Sequence, residues 1–272
     1  MDVRKLYPGG KKRAFNLTYD DGVWQDMGMV ELLNELGLKG TFNLNSQLME
    51  TEFQWWHECG MPVQRIPSWM APELYQGHEV ACHTLTHPNL TDLSREEVLW
   101  QMGEDKRRLE ELMGREIRGF ALPFHGWNEE CRDCAIECGF SYARISESSR
   151  SYDLPEDFYS WRAGLFHLDD ELRPFIENFL KTDQELALCQ IVGHSYDLDV
   201  IEGWEEMASL LRMVAGDPDT ASMTHIELAD YLRAMEQSVI GDSCIENPSE
   251  KRLWFRVKGE TVHLEPHSSR CF

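Results

Sequence analysis

The chain has 272 residues, of which 42% are hydrophobic, and its formal net charge is −22. This length suits one large α/β domain or two small ones. So acidic a surface repels nucleic acid and anionic membranes, and the sequence contains no run of about 18 apolar residues that could span a bilayer. We therefore expect neither a nucleic-acid-binding protein nor a membrane protein, and nothing in the sequence indicates an oligomeric state.

The N-terminus and the cysteines bear on the compartment. The first ten residues lack the apolar core of a secretion signal, so we expect a cytoplasmic protein, or a secreted one if a leader has been removed. The eight cysteines of this long chain do not indicate a disulfide framework. Cys131, Cys134 and Cys138 fall on one face of a predicted helix, and core packing is favoured over a metal site because no second cluster supplies further ligands.

Predicted strands and helices alternate along most of the chain. The predicted strands are 14–18, 40–44, 77–82, 117–122, 140–145 and 186–192, and the predicted helices are 29–36, 94–113, 128–138, 169–181, 204–214 and 226–235. Residues 47–72, which include three tryptophans, are predicted to be a long irregular loop. This alternation indicates parallel βα units that close into a barrel-like sheet.

The last part of the chain has a different pattern. Two β-prone runs, 252–257 and 261–264, flank Lys258-Gly259-Glu260 and predict a β-hairpin. We expect residues 1–240 to form the barrel and residues 241–272 to form a β appendage packed on it.

Polar side chains follow four of the predicted strands. The carboxyl ends of parallel strands share one rim of a barrel, so we expect these side chains to lie together. Two imidazoles and a carboxylate make an open metal site that suits hydrolysis, although Asp-Gly is also a common surface turn and the histidines could be ordinary loop residues. The side chains belong to Asp20 and Asp21 before Gly22, to His83 and His87, to Pro123-Phe124-His125-Gly126, and to His194.

In combination these segments resemble the polysaccharide deacetylase family, also described as the NodB homology domain or carbohydrate esterase family 4. Thr18-Tyr19-Asp20-Asp21-Gly22 is similar to the family's first motif, and His83-Thr84-Leu85-Thr86-His87 is similar to its second. Ala121-Leu122-Pro123-Phe124-His125-Gly126 and Ile191-Val192-Gly193-His194 are similar to its third and fifth motifs. The resemblance covers about residues 10–240 and implies a distorted (β/α) barrel of about seven units, to which the short C-terminal β-hairpin is appended.

The resemblance also implies roles for individual residues. Asp21, His83 and His87 would bind one divalent metal ion, with zinc as the first choice and cobalt, nickel, manganese or iron as alternatives. Asp20 would be the general base and His194 the general acid, with a metal-activated water as the nucleophile. These roles agree with the chemistry of the groups, because a metal lowers the pKa of its water and a histidine holds a proton near neutral pH.

Substrate contacts are implied around two of the motifs. The backbone N–H of Phe124, which follows Pro123, would help to hold the oxyanion. Trp24 and Trp127 follow the first and third motifs and could line the mouth of the cleft, where indole rings stack on sugars. The alternative for both tryptophans is ordinary core packing.

The third motif departs from the family pattern at its arginine, which orients the general base. Ala121 stands at that position. Arg118, Arg144 and Arg162 are candidates to replace the missing arginine, and the sequence does not choose among them.

The fourth motif is also altered. Asp157-Phe158-Tyr159-Ser160-Trp161 keeps an aspartate and a tryptophan but has serine where the family has a second aspartate. Asp197 and Asp199 are therefore candidates to orient His194.

The resemblance implies a metal-dependent hydrolase that removes acetyl groups from a carbohydrate, either an N-acetyl amino sugar or an O-acetylated oligosaccharide. A hydrolase of a small amide, imide or ureide from the same superfamily is the first alternative, favoured by the missing arginine and the lack of a signal. A non-catalytic carbohydrate-binding relative is the second alternative, and the presence of both Asp20 and His194 counts against it. The expected partner is an acetylated sugar, of unknown length and linkage.

Overall fold

The computed structural model describes residues 2–272. Its strands are β1 (Val3–Leu6), β2 (Arg13–Asp20), β3 (Gly40–Leu44), β4 (Gln54–Trp56), β5 (Pro62–Gln64), β6 (Glu79–Cys82), β7 (Gly119–Ala121), β8 (Tyr142–Ser148), β9 (Trp161–Ala163), β10 (Leu165–Phe166), β11 (Ala187–Gly193), β12 (Thr220–Ser222), β13 (Val239–Ile240), β14 (Cys244–Asn247), β15 (Leu253–Val257), β16 (Glu260–Leu264) and β17 (Ser268–Cys271). Its helices are α1 (Asp26–Leu36), α2 (Ser46–Glu50), α3 (Ala71–Leu74), α4 (Arg95–Met113), α5 (Glu129–Glu137), α6 (Leu172–Phe179), α7 (Asp197–Val200), α8 (Trp204–Ala215) and α9 (His225–Glu236). The predicted alternation of strands and helices is confirmed.

Parallel strands form the central sheet, and this sheet closes nearly into a barrel. Their order is β10-β11-β2-β3-β6-β7-β8-β9, with β12 also paired to β2. β9 and β10 stand at opposite ends of this order, yet only Gly164 separates them along the chain, so the two edges of the sheet meet. A Cβ atom at Gly164 would lie 2.7 Å from the backbone oxygen of Gln190, which explains why glycine is needed at the closure. The distorted (β/α) barrel predicted from the sequence is confirmed.

Strand β2 pairs with β11, β3 and β12, and its two faces have different surroundings. Phe15, Leu17 and Tyr19 belong to the hydrophobic core, and successive side chains of a strand point to opposite faces. The intervening residues are polar: Asn16 accepts a hydrogen bond from Gln190 at 2.8 Å, and other polar side chains follow towards the carboxyl end. The barrel interior is therefore a hydrogen-bonded polar column, and this column ends at the strand end where chemistry was predicted.

Residues 47–72 are more ordered than the sequence predicted, so the prediction of one long irregular loop is wrong. The segment holds most of α2, the antiparallel β4/β5 hairpin and the start of α3. Strands of this length carry too short a pattern to be detected by periodicity. A β-bridge between Arg65, which follows β5, and Val23, which follows β2, attaches the hairpin to the barrel.

The C-terminal strands pack beneath the barrel. The predicted hairpin is confirmed as β15 and β16, and the N-terminal strand β1 joins the same sheet by pairing with β15. Phe255 of β15 packs in a second hydrophobic cluster with Leu228 of α9. The proposed boundary at residue 240 stays a prediction. No helix within residues 2–272 has the length and apolarity needed to cross a bilayer.

The cysteines follow the sequence prediction with one exception. Cys131 and Cys134 are buried in the main hydrophobic cluster and Cys138 packs against it, which confirms core packing. Cys244 and Cys271, however, form a disulfide between β14 and β17. The sequence did not predict this pair because only the β pairing brings the two residues opposite each other.

Gly119, at the start of β7, provides a test of packing inside the barrel. A Cβ atom there would lie 2.2 Å from the hydroxyl of Tyr142, which donates to the buried Glu79. We expect Gly119→Ala to lower the free energy of unfolding by about 1–3 kcal/mol, since overpacking breaks this contact. Gly103→Ala is the matched control: its Cβ would meet only Cys138 at an ordinary 3.8 Å, so helix propensity should raise stability by up to about 1 kcal/mol. Equal urea midpoints for both variants would contradict this packing.

Candidate metal and catalytic site

Two adjacent carboxylates lie at the carboxyl end of β2. Asp20 is the last residue of the strand, and Asp21 has a φ angle of 87°, followed by Gly22 at 63°. In a continued strand the two side chains would point to opposite faces, so the left-handed turn that begins at Asp21 is what lets both serve one site. The left-handed backbone thus begins at Asp21 and continues through Gly22.

Arg65 is a buried partner of Asp21. Its Nη1 donates to the backbone carbonyl of Asp21 and lies 2.8 Å from the carboxylate Oδ1. Burial alone would raise the pKa of Asp21, but Arg65 and the nearby imidazoles reverse this effect and hold the pKa far below its usual range. Asp21 is therefore ionised at neutral pH.

The loop after β6 brings two imidazoles to Asp21. His83 Nε2 and His87 Nε2 lie 3.8 and 3.5 Å from Asp21 Oδ1. The loop turns back on itself because Thr84 and His87 both adopt positive φ angles, of 67° and 58°. His83 Nδ1 donates to the carbonyl of Ala121 at 2.9 Å, which leaves its Nε2 lone pair directed at the site.

Helix α4 holds this loop from behind. Asp105 accepts hydrogen bonds from the backbone N–H groups of His83, at 3.2 Å, and Ser46, at 2.8 Å. Gln101, one turn earlier, exchanges two hydrogen bonds with Thr86. A capping box formed by Ser94 and Glu97 starts this helix, so a locally encoded helix places the supports of the histidine loop.

Asp21, His83 and His87 fit a divalent cation. Their donor atoms all lie within 4.8 Å of one another. Asp21 Oδ1 is buried, and Arg65 Nη1 lies 2.8 Å from it but donates its hydrogen bond to the Asp21 carbonyl, so Oδ1 receives no hydrogen bond from any residue that the structure describes. Burial lowers the pKa of His83 to about 4 and also lowers that of His87, so both imidazoles are neutral at pH 7 and can donate lone pairs. A carboxylate with two neutral imidazoles is a donor set typical of zinc and other transition metals.

Asp20 has a different partner, which answers the question left by the third motif. Arg144 of β8 is buried and pairs with Asp20 Oδ1, and Asn43 donates to the same oxygen at 2.7 Å. Burial raises the pKa of Asp20, but Arg144, followed by two histidines, brings the pKa below its ordinary value. Arg144 lies directly beside Ala121 in the register of β7 and β8, so the arginine has moved by one strand.

The other two candidate arginines are engaged elsewhere. Arg118 pairs with Asp230 at 2.7 Å, and Arg162 pairs with Glu147 at 3.0 Å on the surface. Neither arginine contacts Asp20 or Asp21. Arg144 is thus the arginine that meets Asp20.

His194 follows β11 and is oriented by an aspartate. Its Nδ1 lies 3.0 Å from Asp197 Oδ2, whereas Asp199 instead accepts from Gln25 and Trp204. Burial lowers the pKa of His194, but the hydrogen bond to Asp197 and the charges of the two strand-end carboxylates raise it above its ordinary value. Asp157 of the degraded fourth motif pairs with Arg132 and has no contact with His194.

The remaining candidates lie in mixed surroundings. Phe124 has a φ angle of 55° and an exposed ring, which packs edge-on against His87 with centroids 4.5 Å apart. Pro123 before it is buried. Trp24 and Trp127 are half-buried and pack against the main hydrophobic cluster. The roles of these four residues in substrate binding stay predictions.

Sequence reasoning missed two residues of this region. Arg65 comes from the hairpin segment that was taken for a loop, and a buried arginine next to a hairpin has no local signature. His167 follows β10 and contacts Asp197, the partner of His194. It lies outside all of the motifs, and only the barrel closure brings it to β11.

Comparisons with known proteins identify a family for the chain. A family model described as polysaccharide deacetylase matches residues 8–143. Chitooligosaccharide deacetylase of Azorhizobium caulinodans is 26% identical over 142 residues, which are 51% of this chain and 61% of that protein. Chitin deacetylase 1 of Cryptococcus neoformans var. grubii is 25% identical over 131 residues, which are 48% of this chain and 25% of that protein. The matches thus span less than two thirds of either relative.

A solved structure extends the comparison to the whole fold. Peptidoglycan deacetylase PdaC of Bacillus subtilis superposes with a TM-score of 0.55 and 17% sequence identity, over 85% of this chain and 96% of that one. At this identity the likeness is one of fold.

The metal-binding group can be tested without a substrate. We expect the protein to bind about one zinc ion in calorimetric titration, and His87→Ala to abolish or strongly weaken that binding, since one of three ligands is gone. His57→Ala is the control, because His57 is a histidine of the neighbouring hairpin loop that has no contact with Asp21. Undiminished zinc binding by His87→Ala would contradict the assignment.

Proposed function

The chain belongs to the polysaccharide deacetylase family, and we propose that it is a metal-dependent hydrolase that removes acetyl groups from an acetylated carbohydrate. The observation that carries the proposal is the pairing of each acid–base candidate with its own charged partner, Asp20 with Arg144 and His194 with Asp197. Both pairs lie on the rim that carries the metal-ligand group. The names of the two relatives support an acetylated amino sugar as the substrate class.

Asp21, His83 and His87 would hold the cation, with zinc as the first choice. A cation bound there would lower the pKa of a coordinated water and polarise the acyl carbonyl. The protein prepares this position by keeping both imidazoles neutral and Asp21 ionised. Arg65 and the carbonyl of Ala121 fix the directions of Asp21 and His83.

Asp20 is the general base in this proposal. Its partners Arg144 and Asn43 hold the carboxylate still and keep it ionised, so that it can accept a proton from the attacking water. Arg144 fills the place that the altered third motif left open. The absence of that arginine was one argument for a small-amide hydrolase, and the argument no longer applies.

His194 is the general acid. Asp197 binds Nδ1, which leaves Nε2 as the nitrogen that gives its proton to the leaving amine or alcohol. Because the nearby carboxylates raise the pKa of His194, the imidazolium is present near neutral pH. A protein that only binds sugar needs neither a paired base nor a paired acid, and this favours an enzyme over a non-catalytic relative.

Acetate release tests the proposal. Zinc- or cobalt-loaded protein is incubated with N-acetylated chito-oligosaccharides and, separately, with O-acetylated xylo-oligosaccharides. We expect acetate from at least one of these, and we expect Asp20→Asn to lower kcat by a factor on the order of 10²–10⁴, because the general base is lost. Metal-loaded wild type that releases no acetate from either would contradict the proposal, and turnover of small amides by that protein would favour the alternative hydrolase.

The displaced arginine has a test of its own. We expect Arg144→Met to lower kcat/KM by roughly 10- to 100-fold and to move the acid limb of its pH profile upward, because burial then raises the pKa of Asp20 without compensation. Arg144→Lys should restore part of the rate and the original limb. Arg162→Met is the control, since it removes an arginine that pairs only with the surface residue Glu147. An unshifted acid limb in Arg144→Met would contradict this role.

A further inference from the structure

Two histidines share one oxygen of Asp197. His194 Nδ1 and His167 Nε2 each lie 3.0 Å from Asp197 Oδ2. The side chain of His167 is fully buried, so it cannot touch substrate. It has no contact with Asp21, His83 or His87, and it has no part in the proposed acid–base chemistry.

The chain makes room for His167 at the end of β11. The backbone N–H of His167 donates to the carbonyl of Val192 at 2.8 Å, and its ring then lies across Gly193. A Cβ atom at Gly193 would come within 2.3 Å of that ring. Gly193 directly precedes His194, so the absence of a side chain there lets one imidazole pass behind the other.

A third group completes the arrangement from the neighbouring strand. The hydroxyl of Tyr19 lies 2.8 Å from His167 Nδ1. Tyr19 is opposite Gly193 in the register of β2 and β11, and it directly precedes Asp20. The buried line therefore runs from Tyr19 through His167 to Asp197 and ends at His194.

The chemistry of these groups fixes their hydrogens. Burial would raise the pKa of Asp197, but its two histidine partners lower it to about 2, so the carboxylate only accepts hydrogen bonds. His194 Nδ1 and His167 Nε2 must then each carry a hydrogen. Burial lowers the pKa of His167 and raises that of Tyr19, so neutral His167 accepts at Nδ1 from the phenol.

We propose that His167 is a positioning residue for His194 and acts through Asp197. It fixes the shared carboxylate so that His194 carries its hydrogen on Nδ1 and presents Nε2 to the leaving group. Because His167 also donates a hydrogen bond to Asp197 Oδ2, it weakens the attraction between Asp197 and the imidazolium of His194. The inference rests on the proposed role of His194 as the general acid.

Other charged or titratable groups also act on His194. The charges of Asp20 and Asp21 raise the pKa of His194, a charge on His194 lowers the pKa of His87, and the ring of Tyr196 stacks on His194 with centroids 5.0 Å apart. None of these contacts His167. A change confined to His167 therefore reports on Asp197 and leaves the other neighbours in place.

Histidine NMR on the metal-free protein tests the inference without a substrate. In the wild type, long-range ¹⁵N–¹H correlations should show neutral His194 with hydrogen on Nδ1 and neutral His167 with hydrogen on Nε2. In His167→Phe, loss of one donor makes Asp197 more basic, and the pKa of His194 should rise by roughly 0.5 units. His167→Gln, whose amide can donate to the same oxygen, should restore most of the wild-type value.

Kinetics and matched controls complete the test. With a productive sugar, His167→Phe should lower kcat about tenfold with KM unchanged, and His167→Gln should recover most of the rate. His78→Phe is the control. His78 is a buried histidine that accepts a hydrogen bond from the backbone N–H of Gly40 near the other end of the barrel, so its replacement should change neither the pKa of His194 nor kcat. Tyr19→Phe keeps the ring volume and should raise the pKa of His194 by a smaller amount. This second variant provides the same test if His167→Phe does not fold.

The outcomes separate two failures. An unchanged His194 pKa in both His167→Phe and Tyr19→Phe would overturn the inference, as would a wild-type His194 that carries its neutral hydrogen on Nε2. A wild type that shows the expected tautomers but hydrolyses no acetylated sugar would instead contradict the proposed function.

Discussion

Two ionised carboxylates lie side by side at the buried end of one strand, and the surrounding structure gives each of them a different charged partner. Burial and mutual repulsion both raise carboxylate pKa values. Asp20 and Asp21 remain ionised because each has its own arginine, Arg144 from β8 and Arg65 from the β4/β5 hairpin. Asp21 thereby lies against the two imidazoles, whereas Asp20, the proposed general base, pairs with Arg144 and Asn43.

This division of roles depends on the whole fold. Arg144 reaches Asp20 only because the sheet curls until β8 lies across the barrel from β2, and that curl depends on the close approach at Gly164. Arg65 is in place because the hairpin docks next to Val23. The cost of burying the charges is thus offset by elements that are far apart in sequence, and removal of either arginine would leave an unpaired buried charge.

The sequence predicted what is encoded locally. Asp20, Asp21, His83, His87 and His194 each end or follow a strand with its own short pattern, and the barrel places strand ends on one rim. The partners were harder to predict because they depend on register across the sheet. Arg144 and Asp197 were among the candidates, but only pairing of β7 with β8 and the turn after β11 selected them.

Other features had no local signal at all. His167 meets Asp197 through the barrel closure, and the Cys244–Cys271 bond depends on strand pairing outside the barrel. The boundary at residue 240 and a cytoplasmic location stay predictions. So does the identity of the metal.

Anomalous X-ray diffraction at the zinc edge, from crystals of the zinc-loaded protein, would show which of the two strand-end carboxylates binds the metal. We expect one strong peak about 2 Å from donor atoms of Asp21, His83 and His87, with Asp20 still paired to Arg144 and not bound to the metal. A peak at another place, or a zinc ion ligated by Asp20 with Arg144 displaced, would contradict the division of roles on which the mechanism rests.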